Sequence, residues 1–129
     1  MGSKEIDMLE GLGSSFKAIA DASFDSVMIT AVAQNNEIIY ANEAFETLTG
    51  YKVNDVIGKD PAFLQGPATD AGTIDRLRED LGADRQFAGR TINYRADGSP
   101  FIMHWRIVPV RAGGGDVTHH VAIQRVIVS

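Results

Sequence analysis

The sequence predicts an α+β domain: a five-stranded antiparallel sheet with short helices on one face. Three observations carry this. Two strand patterns come first, several short helix patterns follow, and three strand patterns close the chain as a meander. That segregation favours an antiparallel sheet over repeated βαβ units. Asn35-Asn36 and Asp97-Gly98 supply turn chemistry between neighbouring strand patterns. The length of 129 residues and a hydrophobic content of 44% provide for one core. No repeat, low-complexity tract or linker divides the chain. Residues 1–23 read as an N-terminal helical segment, a cap, ahead of the main domain at 24–129.

Taken in order, Gly11, Gly13, Ser14 and Ser15 break any helix begun at Lys4. Ser14 or Ser15 can cap a new one that carries Phe16, Ile19 and Ala20 on one face. Ile6, Met8, Leu9 and Leu12 form a loose apolar stripe before it, suited to packing on the chain's own sheet or on a second copy. Residues 26–32 alternate as a strand, with Val27, Ile29 and Ala31 against Ser26, Met28 and Thr30. A turn at 34–36 leads to a second strand at 37–41, and the two form a hairpin. Asn42 caps a helix over 43–49 with Ala44, Phe45 and Leu48 on its face, and Gly50 ends it. Asn54 and Asp55 offer a cap for one further turn ending at Gly58. Asp60-Pro61 suits a helix start, with aspartate capping and proline at the first helical position. Asp70 opens a helix with Ile74, Leu77 and Leu81 at helical spacing, stopped by Gly82. Residues 86–95, 101–110 and 117–128 then read as strands, the middle one with Phe101, Met103, Trp105 and Ile107 on one side.

The charge of −5 and pI near 5.0 include no clustered Lys and Arg, so no nucleic-acid partner is expected. No apolar run reaches membrane-spanning length and no signal-peptide core is present, so no membrane partner and a cytoplasmic location are expected. The chain has no cysteine, which excludes disulfides, thiolate metal sites and cysteine nucleophiles. His119 and His120 are adjacent on a strand and point to opposite faces. His104, His119 and His120 have no helical i, i+4 spacing and no companion carboxylate motif, so they predict a structural or exposed role and no metal. Gly113-Gly114-Gly115 is not followed by a helix, so it is not a phosphate loop. No triad or carboxylate pair points to an enzyme.

Several local motifs then recur in an order that resembles one family. Tyr40-Ala41-Asn42-Glu43-Ala44-Phe45 and Leu48-Thr49-Gly50-Tyr51 resemble PAS domains. Phe63-Leu64-Gln65-Gly66 and Asn93-Tyr94-Arg95-Ala96-Asp97-Gly98 resemble the LOV (light-oxygen-voltage) branch of the PAS fold more specifically. Pro109-Val110 and Gln124 close the series, and the resemblance runs from about Phe24 to the end of the chain. It implies a pocket between helices and sheet for a flavin, normally FMN. Gln65, Asn93 and Gln124 would be its amides, because an amide both donates and accepts. Leu64, Ile74, Leu77, Trp105 and Ile107 would be its walls. Arg78 matches one of two family arginines that hold the phosphate.

The departures are as specific as the matches. The family reads Gly-x-Asn-Cys-Arg-Phe-Leu-Gln-Gly where this chain has Gly58-Lys59-Asp60-Pro61-Ala62-Phe63-Leu64-Gln65-Gly66. Pro61 replaces the cysteine that forms the flavin photoadduct. Asp60 replaces an asparagine on the ribityl chain, and Ala62 replaces the other phosphate arginine, which opens the site to riboflavin. Met103 replaces a second ring-binding asparagine, His120 an apolar wall residue and Ala122 a glycine. The first reading is a LOV-like sensory module that binds FMN or riboflavin noncovalently, cannot form the cysteinyl photoadduct, and senses redox state or photoreduction. Trp105, Tyr40, Tyr51 and Tyr94 are its candidate electron donors. The alternative is a PAS interaction module with no flavin, or a different small ligand, that acts by dimerising. Under either reading a homodimer is the expected state and the effector is unknown.

Overall fold

In the computed structural model, residues 14–127 are described. Helix α1 (Ser14–Ala22) leads into strand β1 (Ser26–Ala31) and strand β2 (Glu37–Ala41). Helix α2 (Glu43–Thr49), a single turn α3 (Val53–Val56), a 3₁₀ turn (Pro61–Leu64) and helix α4 (Ala71–Gly82) follow. Strands β3 (Phe87–Tyr94), β4 (Pro100–Arg111) and β5 (Val117–Val126) complete the chain. All strand pairs are antiparallel, in the order β2-β1-β5-β4-β3. The expected stripe Ile6, Met8, Leu9 and Leu12 lies outside the described residues.

The local signals act where expected. Asn35 and Asn36 take left-handed backbone at the β1–β2 connection, φ 56° and 60°. Asn42 accepts from Phe45 N to cap α2, and Gly50 ends that helix with φ 76°. Asp60 accepts from Ala62 N and Pro61 opens the 3₁₀ turn. Asp70 caps α4 by accepting from Thr73, whose hydroxyl and amide together hold its carboxyl below the ordinary aspartate range. One cap differs from expectation. Turn α3 begins at Val53 after Lys52, and the Glu46 carboxylate accepts from Val53 N at 2.7 Å. Asn54 and Asp55 lie inside the turn, because a longer carboxylate from the preceding helix already satisfies its first amide.

Two apolar clusters sandwich the sheet. The larger joins Met28, Ile38, Phe45, Leu64, Phe87, Phe101, Met103, Trp105 and Ile107 beneath α2–α4. The smaller lies on the opposite face, where Phe16 and Ala20 of α1 pack with Val27, Ile29, Tyr40 and Val121. Strand β1 is therefore buried at all six positions, although its sequence alternates. Asn42 ties the layers together: its Oδ1 accepts from Val27 N at 2.9 Å, and its Nδ2 donates to Ala20 O at 2.8 Å and Asp25 O at 3.0 Å. Tyr40 Oη donates to Asp21, which places Tyr40 on the α1 side of the sheet.

Candidate functional site

The larger cluster does not close. Between α4, the 3₁₀ turn and the sheet lies a cavity of about 470 Å³, within the range of small-ligand sites. Its lining contains Asp60, Pro61, Leu64, Gln65, Ile74, Leu77, Arg78, Asn93, Met103, Trp105, Ile107 and Gln124, all singled out from the sequence. Each strand contributes alternate residues because successive side chains point to opposite faces. Met103, Trp105 and Ile107 come from β4, and His120, Ala122 and Gln124 from β5.

The loop carrying Gln65 is held against β3. Thr69 Oγ1 donates to Ile92 O at 2.6 Å and accepts from Gly66 N at 3.0 Å. Thr91 Oγ1 accepts from Asp70 N at 2.7 Å, and Tyr94 Oη accepts from Ala68 N at 2.9 Å. Gly66 is required by contact: a Cβ there would stand 2.3 Å from Tyr94 Cε1. This clamp brings Gln65 to the same wall as Asn93.

The polar groups at this end are buried and only partly paired. Gln124, 2% exposed, accepts from Ser26 Oγ at 2.8 Å. Asn93, 4% exposed, donates to Met103 Sδ at 3.5 Å, so the sulfur takes one amide proton of Asn93. Its Oδ1 has no partner. A buried acceptor left unpaired costs about 1–3 kcal/mol unless a ligand or water completes it.

Charges sit at the rim. The Arg78 side chain is 73% exposed, and its Nη1 lies 3.9 Å from Asp75 Oδ1. Lys59 lies over the Phe63 ring, and Arg76 donates to Ala88 O and covers Phe87, so neither cation lines the cavity. Of the candidate electron donors, Trp105 is in the wall, Tyr94 backs the Gly66 loop, and Tyr51 packs edge-on to Phe63 at 4.9 Å between ring centroids. Tyr40 is behind the sheet. Among the residues the sequence reading did not assign to the site, Met28, Thr30, Asn36, Leu81 and Gly82 also line it. Met28 and Thr30 were legible in principle as the alternate face of β1.

His104 is exposed on β4, as its alternation implies. His119 and His120 are both buried, at 7% and 8% exposure. Burial lowers the pKa of each below the ordinary histidine value, and Asp84 pulls His120 weakly the other way. His119 Nδ1 is 2.8 Å from Thr118 Oγ1, whereas His120 faces the cavity.

The chain is similar in sequence and fold to known proteins. The PAS domain family matches residues 25–127. Phototropin-2 of Oryza sativa subsp. japonica is 40% identical over 98 residues, 76% of this chain and 11% of that protein. A blue-light-activated histidine kinase of Brucella anthropi is 36% identical over 121 residues, 88% of this chain and 25% of that protein. The LOV domain of the Erythrobacter litoralis EL346 blue-light activated histidine kinase superposes with a TM-score of 0.76 at 34% identity, covering 80% of this chain and 95% of that one. A light-oxygen-voltage domain studied with a flavin analogue superposes with a TM-score of 0.83 at 33% identity, covering 91% and 87% of the two chains. The chain thus spans 11% and 25% of the lengths of these two curated relatives.

Proposed function

Since the chain belongs to the PAS family and, within it, to the LOV domains, we propose that it is a sensory signalling module that binds FMN or riboflavin noncovalently. The unpaired Asn93 Oδ1 carries this reading. It is a buried acceptor on the wall of an apolar cavity that Gln65 and Gln124 also line, which suits a ligand with a flat apolar body and polar groups that donate. Asn93 and Gln124 would hold its polar edge. Leu64, Ile74, Leu77, Met103, Trp105 and Ile107 would enclose the body, Gln65 would join the two amides at the polar edge, and Asp60 and Arg78 would meet the tail.

When bound, a flavin supplies blue-light absorption and reversible redox chemistry. This chain's residues set the limits of its use. Pro61 has no nucleophile, so no covalent bond to the ligand forms from that position. Trp105 is the electron donor on the cavity wall. Gln124, bonded to Ser26, joins the cavity to the β1–β5 pair, so a change in the hydrogen bonds it makes inside is felt along the sheet. The module works in the cytoplasm, with a second copy of the chain as its partner. Ile102 and Ile123, each 42% exposed, offer apolar surface on the sheet for that partner.

One observation favours the alternative of an interaction module without flavin: an Asn93 proton is already taken by Met103. The readings separate by spectroscopy. Purified protein incubated with excess FMN and riboflavin should show a structured blue absorbance band that survives gel filtration. Absence of the band with both flavins refutes the flavin reading.

A further inference from the structure

The cavity has a second polar end. Three buried side-chain atoms among the described residues have no hydrogen-bond partner: Asn93 Oδ1, His119 Nε2 and His120 Nε2. Two of these residues, Asn93 and His120, line the cavity. His120 is four residues from Gln124 on the same face of β5, a separation of about 13 Å at the usual strand rise. Along β4, Asn93 is in register with Phe101, Gln124 with Trp105 and His120 with Pro109, so His120 stands at the end opposite Asn93, with Gln124 between them. Thr30 lies opposite His120 in the β1–β5 register, is also buried, and adds a hydroxyl to the same wall. Ala122, between the two ends on β5, is apolar, and Ile107 faces it across the β4–β5 ladder.

Asp84 raises the pKa of His120 and burial lowers it more, which favours the neutral imidazole. A neutral imidazole offers one acceptor and one donor. Asn93 and His120 thus present buried, unsatisfied hydrogen-bonding groups at the two ends of the cavity, and the stretch between Gln124 and His120 is apolar. A flavin with the ordinary dimethyl benzenoid edge completes only one of them. We propose that the cavity is built for a flavin-type ligand whose benzenoid edge carries a hydrogen-bonding substituent, an amino or hydroxyl group, and that His120 is the residue that selects it. The inference rests on the flavin reading.

The test compares riboflavin with its aminoflavin analogue, in which one benzenoid methyl is replaced by an amino group. Affinities for wild-type protein, His120→Leu and Asn93→Ala are measured by fluorescence titration, and thermal shift gives a second readout. The wild type should bind the aminoflavin about tenfold more tightly than riboflavin, the yield of one well-made buried hydrogen bond. His120→Leu should erase that preference, and His120→Phe repeats the arm if the leucine variant does not fold. Asn93→Ala should weaken both ligands alike. If riboflavin binds as tightly as the aminoflavin, or if the preference survives loss of His120, this proposal is overturned while the flavin reading stands. If neither ligand binds wild-type protein, the flavin reading itself is overturned and this inference with it.

Discussion

Gly66→Ala should destabilise the protein through one contact. Gly66 has no left-handed backbone, so alanine meets no conformational penalty there. The cost comes from Tyr94. A new Cβ would lie 2.3 Å from Cε1, 2.4 Å from Cδ1 and 3.0 Å from Cζ of that ring. The ring cannot swing aside freely because its hydroxyl accepts from Ala68 N. The loop cannot retreat because Gly66 N is bonded to Thr69, which is bonded to β3. Overpacking of this kind costs about 1–3 kcal/mol, or about 4–10 °C in Tm for a domain of this size. Urea denaturation of wild type, Gly66→Ala, Tyr94→Ala and the double variant isolates the contact. In the Tyr94→Ala background the glycine substitution should cost only a few tenths of a kcal/mol, giving a coupling energy of about 1–2 kcal/mol. Equal destabilisation in both backgrounds, or none in the native one, refutes the reasoning. Gln65 is the next residue, so the single variant should also bind flavin more weakly.

Asn42→Ala should cost about 3 kcal/mol in chemical denaturation, since it removes the α2 cap, leaves Val27 N without its side-chain partner and takes one of two donors from Ala20 O. Stability should fall as pH drops from about 7.5 to about 5.5. His119 and His120 bind a proton near 6.5 when unfolded but only at lower pH when folded, so the unfolded state gains protons first. Replacing both histidines with leucine should flatten that part of the profile, and an unchanged slope would assign it to other groups. Ala62→Arg should raise affinity for FMN relative to riboflavin by about tenfold at low salt, because Arg78 is the only Lys or Arg among the described residues on the cavity lining and already faces Asp75. An unchanged ratio would place the tail elsewhere. Pro61→Cys in flavin-loaded protein should show light-driven, thermally reversible bleaching of the blue band. Its absence would mean that the ring does not lie against this position.

Elements set by near neighbours were legible from the chain alone. Asn42, Asp60-Pro61 and Asp70 cap because the amides they bond lie two or three residues away. Strand β4 could be read from alternation because one of its faces is buried and the other is not. The twelve expected positions line one cavity, with Ile74, Leu77 and Arg78 coming from one helix and the others from the sheet and residues 60–65. The remainder depends on groups distant in sequence. Glu46 reaches across seven residues to cap α3, which no local pattern at Asn54 or Asp55 reveals. Alternation in β1 could not show that α1 would bury its second face, or that this would carry Tyr40 away from the cavity. The pairing of Met103 with Asn93 and the burial of His120 opposite Thr30 arise from cross-strand register. Hydrogen-bond satisfaction is a property of what surrounds an atom in space, so the two unpaired groups that define the ends of the cavity become visible only once the strands are laid side by side.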